Sequence, residues 1–222
     1  MTPARASLRD RLSLIVVADP GGVAGRRFVH VVREALKGGA PALQLRAKSM
    51  AAREMTELAR VLLAETRGAG ALLFINDRID VALAAGADGA HIGDDDIPLA
   101  AARGIVPAGF LLGRSADSPD QARTATAEGA DYLGVGPVYA TQSKEDAGPA
   151  IGIAGLSAVA AATSLPVVGI GGITRDTAEE VVAGGAAGIA VIRAVMTGQD
   201  PAEEVRYLLE QVARGSGRSS GQ

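Results

Sequence analysis

Cysteine is absent from this 222-residue chain, which excludes a disulfide framework, a thiolate nucleophile and Cys-ligated zinc. A basic excess is absent as well. The formal net charge is -3, so the electrostatic footprint of a sequence-independent nucleic-acid binder is missing and no nucleic-acid partner is expected. No apolar run has the length of a membrane span, and the N-terminal stretch with Arg5, Arg9 and Arg11 meets no signal-type apolar segment before Asp19. The expectation is a cytoplasmic protein with no membrane partner. Neither a serine–histidine–acid triad nor an H-E-x-x-H pair is visible, so hydrolysis by those routes finds no support. Lysine is scarce: only Lys37, Lys48 and Lys144 occur among 22 lysines and arginines, and the last two fall in the polar segments that matter below.

What is present is a short apolar run followed by a helix-like stretch, again and again, the pattern of a parallel sheet covered by helices. Eight runs qualify as strands: 12–18, 42–46, 72–76, 89–92, 110–113, 132–136, 166–170 and 188–192. Between them apolar residues recur at helical spacing, as in Phe28, Val32 and Leu36 and in Met55, Leu58 and Leu62; such stripes belong to a core. Glycine recurs just before the next strand, at Gly38-Gly39, Gly68 to Gly70, Gly86, Gly129 and Gly184-Gly185, where a helix C-terminus favours a left-handed residue. Eight units of roughly 28 residues approach the roughly 31 of a typical (β/α)8 barrel. The fold class expected is therefore α/β, a single-domain (β/α)8 TIM barrel over 12–214, with an N-terminal extension over 1–11 and a flexible Gly/Ser-rich tail over 215–222. The rival, a doubly wound open sheet, lacks a dinucleotide-type glycine turn after the first strand, where Gly21-Gly22 stands alone.

In a barrel the chemistry sits at the C-terminal ends of the strands. The second strand runs into Gln44-Leu45-Arg46-Ala47-Lys48, whose alternation sends Gln44, Arg46 and Lys48 toward one side; the plain alternative is a surface ion-pair cluster. Asn76-Asp77 follow the third strand, and His91 to Asp96 end the fourth. Carboxylates from neighbouring strand ends suit Mg2+, which takes one or two of them with waters and phosphate oxygens. For Asp94 to Asp96 the alternative is capping of the helix starting near Leu99. For His91 it is a packed, hydrogen-bonded side chain, and His30 reads as helix surface. The segment Gly136 to Pro149 is the longest irregular loop and reads as a lid. Gly169-Ile170-Gly171-Gly172 and Val191-Ile192-Arg193 follow strands seven and eight, where such barrels often hold phosphate on backbone N–H groups. A neutral nest for a monophosphate beside several cations and a carboxylate pair implies two phosphorylated substrates, one of them a pyrophosphate.

With Q-L-R-A-K, I-N-D-R, H-I-G-D-D-D, G-P-V-Y-A-T-Q-S-K and G-I-G-G-I-T in this order, the chain resembles the thiamine-phosphate synthases from about Leu12 to Leu209. The resemblance implies a (β/α)8 transferase of thiamine biosynthesis. It would join hydroxymethylpyrimidine pyrophosphate to a thiazole phosphate by a Mg2+-dependent, dissociative mechanism. It further implies Asp77 and Asp96 as Mg2+ ligands, Arg46, Lys48, Asn76 and Lys144 at the pyrophosphate, and Gln44 and Ser115 at the pyrimidine. Thr141, Ser143, Gly172, Ile192 and Arg193 would hold the thiazole phosphate. The sequence departs from the family pattern at Ala47, where an acid is usual, at Ser143 for Thr and at Arg193 for a small Ser. Gly113-Arg114-Ser115 also resembles the sister thiazole phosphate tautomerases, but Asp117 stands where that group has its histidine. A tautomerase and a non-catalytic thiazole phosphate binder are the competing readings.

Overall fold

The computed structural model describes residues 7–23, 28–141 and 148–217. Its centre is a closed, all-parallel barrel in sequential strand order, made of β1 (Leu14–Ala18), β2 (Ala42–Leu45), β3 (Leu72–Asn76), β4 (Gly89–Ile92), β5 (Leu111–Ser115), β6 (Tyr132–Val135), β7 (Val167–Ile170) and β8 (Gly188–Val191). The pairing of β1 with β8, Ile15 beside Ala190, closes the ring, and closure excludes the open doubly wound sheet. The helices outside are α1 (Leu8–Arg11), α2 (Phe28–Lys37), α3 (Ala52–Ala69), α4 (Ile79–Ala85), α5 (Leu99–Ile105), α6 (Pro119–Ala127), α7 (Gly152–Ala161), α8 (Ala178–Ala183), α9 (Arg193–Met196) and α10 (Pro201–Gly215).

Strand alternation divides the core in two. Ile15 and Val17, Ala42, Leu72 and Phe74, Tyr132, Val168 and Ala190 fill the barrel interior. Leu14, Val16, Leu43, Leu45, Leu73 and Ile75 face the helices and meet Val32, Leu36, Met55 and Leu62. Each large apolar side chain so buried contributes roughly 1.5–3 kcal/mol, and the period of two places Gln44 on the interior side of β2 with Ala42. At the helix ends Gly70 and Gly86 take φ +72° and +77°, the left-handed turn that releases the chain into the next strand. The last helix starts on Asp200, whose carboxylate accepts the Glu203 N–H at 2.9 Å ahead of Pro201.

Several boundaries differ from the expectation. Leu12 belongs to the end of α1 and packs with Leu8 under the barrel interior rather than opening the first strand. Helix α10 continues through Gly215, so that residue is helical rather than part of a tail. The fifth strand runs from Leu111 to Ser115 instead of ending at Gly113; Gly113 carries no side chain and Arg114 is polar, so the apolar alternation that marks a strand is lost there. Helix α5 has Pro98 at its N-cap with no side-chain cap, which corrects the capping alternative for Asp94 to Asp96. His30 lies on the exposed face of α2.

Candidate active site

At the C-terminal mouth of β2, Gln44 is only 6% exposed. Two residues on, the Arg46 guanidinium donates to the Asp19 carboxylate at 2.7 Å, with 16% and 22% of the two side chains exposed. Asp19 follows β1 directly, and its other oxygen accepts the Gly21 N–H at 2.9 Å, so both partners are fixed. Sequence reasoning does not single out Asp19. Its signal is position alone, the first carboxylate after a barrel strand. An acid at position 47 is absent, and Asp19 supplies the orienting charge for Arg46 across the strand pair.

The mouths of β3 and β4 carry the carboxylates. Asp77 stands at φ +62°, a left-handed conformation unusual outside glycine, and its N–H donates to the His91 carbonyl at 2.8 Å. The Asp96 carboxylate accepts the Gly93 N–H at 2.7 Å, and Asp77 and Asp96 lie near enough to feel each other's charge. Burial and the neighbouring Asp96 push the Asp77 carboxyl up to about 6, against the opposing pull of Lys48 and Arg46. Arg114, on the outward side of β5, donates to the Gly93 carbonyl and, at 2.6 Å, to the Asp94 carboxylate, tying the loop that carries Asp96 to the next strand. No cluster of three metal-ligating side chains occurs among the described residues; the donor set is a carboxylate pair.

Below these groups His91 bridges the interior, with Nδ1 3.1 Å from Tyr132 Oη and Nε2 3.1 Å from Ser115 Oγ. The packed, hydrogen-bonded reading of His91 therefore describes it, while nothing in the sequence marks Tyr132 as its partner. On the opposite side of the mouth the loops after β6 and β7 zip together. Val138 and Tyr139 donate their N–H groups to the Ile170 and Gly171 carbonyls at 2.8 and 3.0 Å, and the Tyr139 hydroxyl donates to Glu180. Gly172 sits at φ +64°, and a Cβ there would lie 2.7 Å from the Ala140 carbonyl oxygen and from Tyr139 Cβ, so only glycine fits this approach. Ile192 and Arg193 follow the neighbouring β8, with the Arg193 side chain exposed. Thr141 lies half-buried at the edge of the β6 loop; Ser143 and Lys144, in the 142–147 segment of the expected lid, lie outside the described residues.

The structure thus brings Arg46, Lys48, Asp77 and Asp96 into one electrostatic group, with Asn76 at the end of the same strand as the Asp77 turn. It places Gln44 and Ser115 within the barrel mouth and Gly172, Ile192 and Arg193 on the far side. If Asp19 fixes Arg46 for an anionic ligand, Asp19→Asn leaves the thermal midpoint nearly unchanged and raises the KM for a pyrophosphate substrate roughly tenfold, the worth of a charge-assisted hydrogen bond. The KM for the monophosphorylated substrate that the sequence leads one to expect serves as the control and stays within about twofold. Equal shifts in both KM values would refute an orienting role.

Comparison with known proteins identifies the family. Residues 14–195 match the family model described as thiamine monophosphate synthase. The thiamine-phosphate synthase of Moorella thermoacetica is 49% identical over 207 residues, 93% of this chain and 98% of that one. That of Archaeoglobus fulgidus is 46% identical over 93% of this chain and 96% of its own. Among solved structures, a thiamine phosphate pyrophosphorylase from Pyrococcus furiosus superposes with a TM-score of 0.87 at 41% identity, over 95% of this chain and all of that one. A 3-hexulose-6-phosphate synthase at 17% identity and a TM-score of 0.66 shares the barrel.

Proposed function

This chain belongs to the thiamine monophosphate synthase family, and we propose that it condenses 4-amino-2-methyl-5-hydroxymethylpyrimidine pyrophosphate with thiazole phosphate, releasing pyrophosphate and forming thiamine phosphate. As a member of that family it is an enzyme, a transferase. The observation that carries the substrate assignment is the grouping of two carboxylates with two cations on one side of the barrel mouth, Asp77 and Asp96 with Arg46 and Lys48. A monophosphate alone would not call for a carboxylate pair; a pyrophosphate bound with a divalent ion does.

The residues fit Mg2+. Two neighbouring carboxyls, one of them held up to about 6 by burial and by the other, are the oxygen donors whose repulsion a hard cation relieves. Asp77 and Asp96 would hold the ion, and bound there it supplies positive charge to the pyrophosphate oxygens. Arg46, oriented by Asp19, and Lys48 bind the same leaving group, with Asn76 and Lys144 assigned beside them by family resemblance. In the reaction the bond from the pyrimidine methylene carbon to the pyrophosphate oxygen breaks with its electron pair going to pyrophosphate. The pyrimidine cation is then captured by the lone pair of the thiazole nitrogen. Such a step asks the protein for preorganised charge on the leaving oxygens rather than for a strong base, and Arg46 and Lys48 offer that charge. Gln44 and Ser115 orient the pyrimidine. Thr141, Ser143, Gly172, Ile192 and Arg193 hold the thiazole phosphate.

The test is product formation by the purified protein from both phosphorylated substrates with Mg2+, with EDTA as control. Thiamine phosphate that appears with Mg2+ and vanishes with EDTA supports the proposal. Folded protein that binds thiazole phosphate calorimetrically and yields no product would replace it with the non-catalytic binder, and metal-independent interconversion of thiazole phosphate tautomers would replace it with the isomerase.

A further inference from the structure

Leu45, Ile75, Ile92, Val135 and Val191 are the outward residues nearest the C-terminal ends of β2, β3, β4, β6 and β8, and all belong to the helix-side core. On β5 that place is held by Arg114, two residues past Leu112, which faces the same core. Only 20% of the Arg114 side chain is exposed. Withdrawing a cation this far from water is unfavourable unless its donors meet fixed acceptors.

Both acceptors lie in one loop. Arg114 pairs in register with Ile92, and its guanidinium donates to the Gly93 carbonyl and, at 2.6 Å, to the Asp94 carboxylate. Gly93 in turn gives its N–H to the Asp96 carboxylate at 2.7 Å, and its carbonyl accepts the Asp96 N–H at 3.4 Å. Gly93 is thus held by Arg114 and itself holds Asp96. The rest of the link from β4 to α5 is irregular, and α5 starts at Pro98 with no side-chain cap, so local rules leave this loop loose. Its tie comes across the β4–β5 pair. The Asp77 N–H is anchored on the His91 carbonyl at 2.8 Å, so one short stretch, 91–93, registers both carboxylates.

We infer that Arg114 is a positioning residue for the carboxylate pair: through Gly93 it keeps the Asp96 carboxylate at the spacing from Asp77 that a divalent ion requires. The inference rests on the assignment of Asp77 and Asp96 to Mg2+, and it adds a residue that acts on the ion only through Asp96. Of the two bonds, the one to Gly93 matters more, because Gly93 touches Asp96 directly. Asp94 is 59% exposed, and an ion pair so open to water contributes little by itself.

Arg114→Leu removes both bonds and puts an apolar side chain where the other strands carry one, so the thermal midpoint of the metal-free protein is expected not to fall. The quantity to measure is the Kd of inorganic pyrophosphate by calorimetry, once with Mg2+ and once with EDTA. In the parent protein Mg2+ tightens this binding. In Arg114→Leu the tightening shrinks at least about tenfold, the scale on which groups behind metal ligands act, while the Kd in EDTA stays within about twofold. Arg114→Lys keeps the charge without the planar fork and loses roughly threefold; it carries the same test if Arg114→Leu does not fold. Asp94→Asn changes the tightening by less than about twofold. Parental tightening in the Arg114 variant, or an equal loss of affinity with and without Mg2+, overturns the inference. A parent protein whose pyrophosphate affinity ignores Mg2+ removes the metal from Asp77 and Asp96, and the inference falls with that assignment. No turnover is needed, so a protein that shows the Arg114 effect yet makes no thiamine phosphate refutes the synthase assignment and leaves the positioning role standing.

Discussion

Asp77→Asn is expected to lower synthase turnover by at least about 100-fold and, in the same protein, to raise the thermal midpoint of the metal-free form at pH 7.5. Both follow from one cause. In the native state burial and Asp96 hold the Asp77 carboxyl up to about 6, against 3.8 when unperturbed. Between those values the folded protein carries the extra proton, so stability falls as pH rises, and above about 6 the whole penalty of the ionised carboxylate is present. A neutral amide removes that penalty. Asparagine also tolerates the φ of +62° at this position better than other side chains, so the comparison is one of charge. The gain in midpoint therefore shrinks as pH is lowered from 7.5 to 5, where Asp77 itself takes up a proton. For the parent protein Mg2+ in the presence of pyrophosphate raises the midpoint by mass action. That rise weakens as pH falls through about 6, because proton and metal compete for the same oxygens, and it is missing in Asp77→Asn. Calorimetric scans with and without Mg2+ at several pH values, beside a turnover assay, check all of this. An Asp77→Asn protein with full Mg2+-dependent activity would remove Asp77 from the metal site.

Gly172→Ala is the second large effect expected. The new methyl group would enter a left-handed backbone position at φ +64° and lie 2.7 Å from the Ala140 carbonyl oxygen and from Tyr139 Cβ. Strain of this kind costs about 1–3 kcal/mol, which for a chain of this length lowers the thermal midpoint by roughly 2–10 °C. Relief requires the β7 loop to draw away from the β6 loop and break the bonds from Val138 and Tyr139 to the Ile170 and Gly171 carbonyls. Because the proposed thiazole phosphate nest is built from those loops, KM for thiazole phosphate is expected to rise roughly tenfold, a change of about 1.4 kcal/mol. The pyrophosphate-side KM stays constant. Gly148→Ala is the control: among the described residues a Cβ there meets nothing within 4 Å, and both parameters should stay at wild-type values. A Gly172→Ala protein with lowered stability and unchanged thiazole phosphate KM would separate the strained turn from the phosphate site.

The order and number of strands, and the helices between them, are legible along the chain because both have short periods that a window of about eleven residues displays. The interior face of β2, with Gln44 and then Arg46, is a consequence of strand alternation, and Asp77 and Asp96 fall at barrel mouths by position along the chain. Where side chains carry no apolar signal the boundary slips, as at Gly113 and Arg114, whose strand continues to Ser115. Pro98 at the α5 N-cap likewise releases Asp94 to Asp96 from the capping role that local rules offer. Other pairings exist only in three dimensions: Asp19 in place of a local acid as the partner of Arg46, Arg114 clasping the loop of Asp96, and Tyr132 and Ser115 flanking His91. These pairs lie 20 to 41 residues apart, and no local period encodes which of eight strands becomes a neighbour or points across the lumen. Closing the ring decides that, and with it which polar atoms face each other at the mouth and across the interior of the barrel.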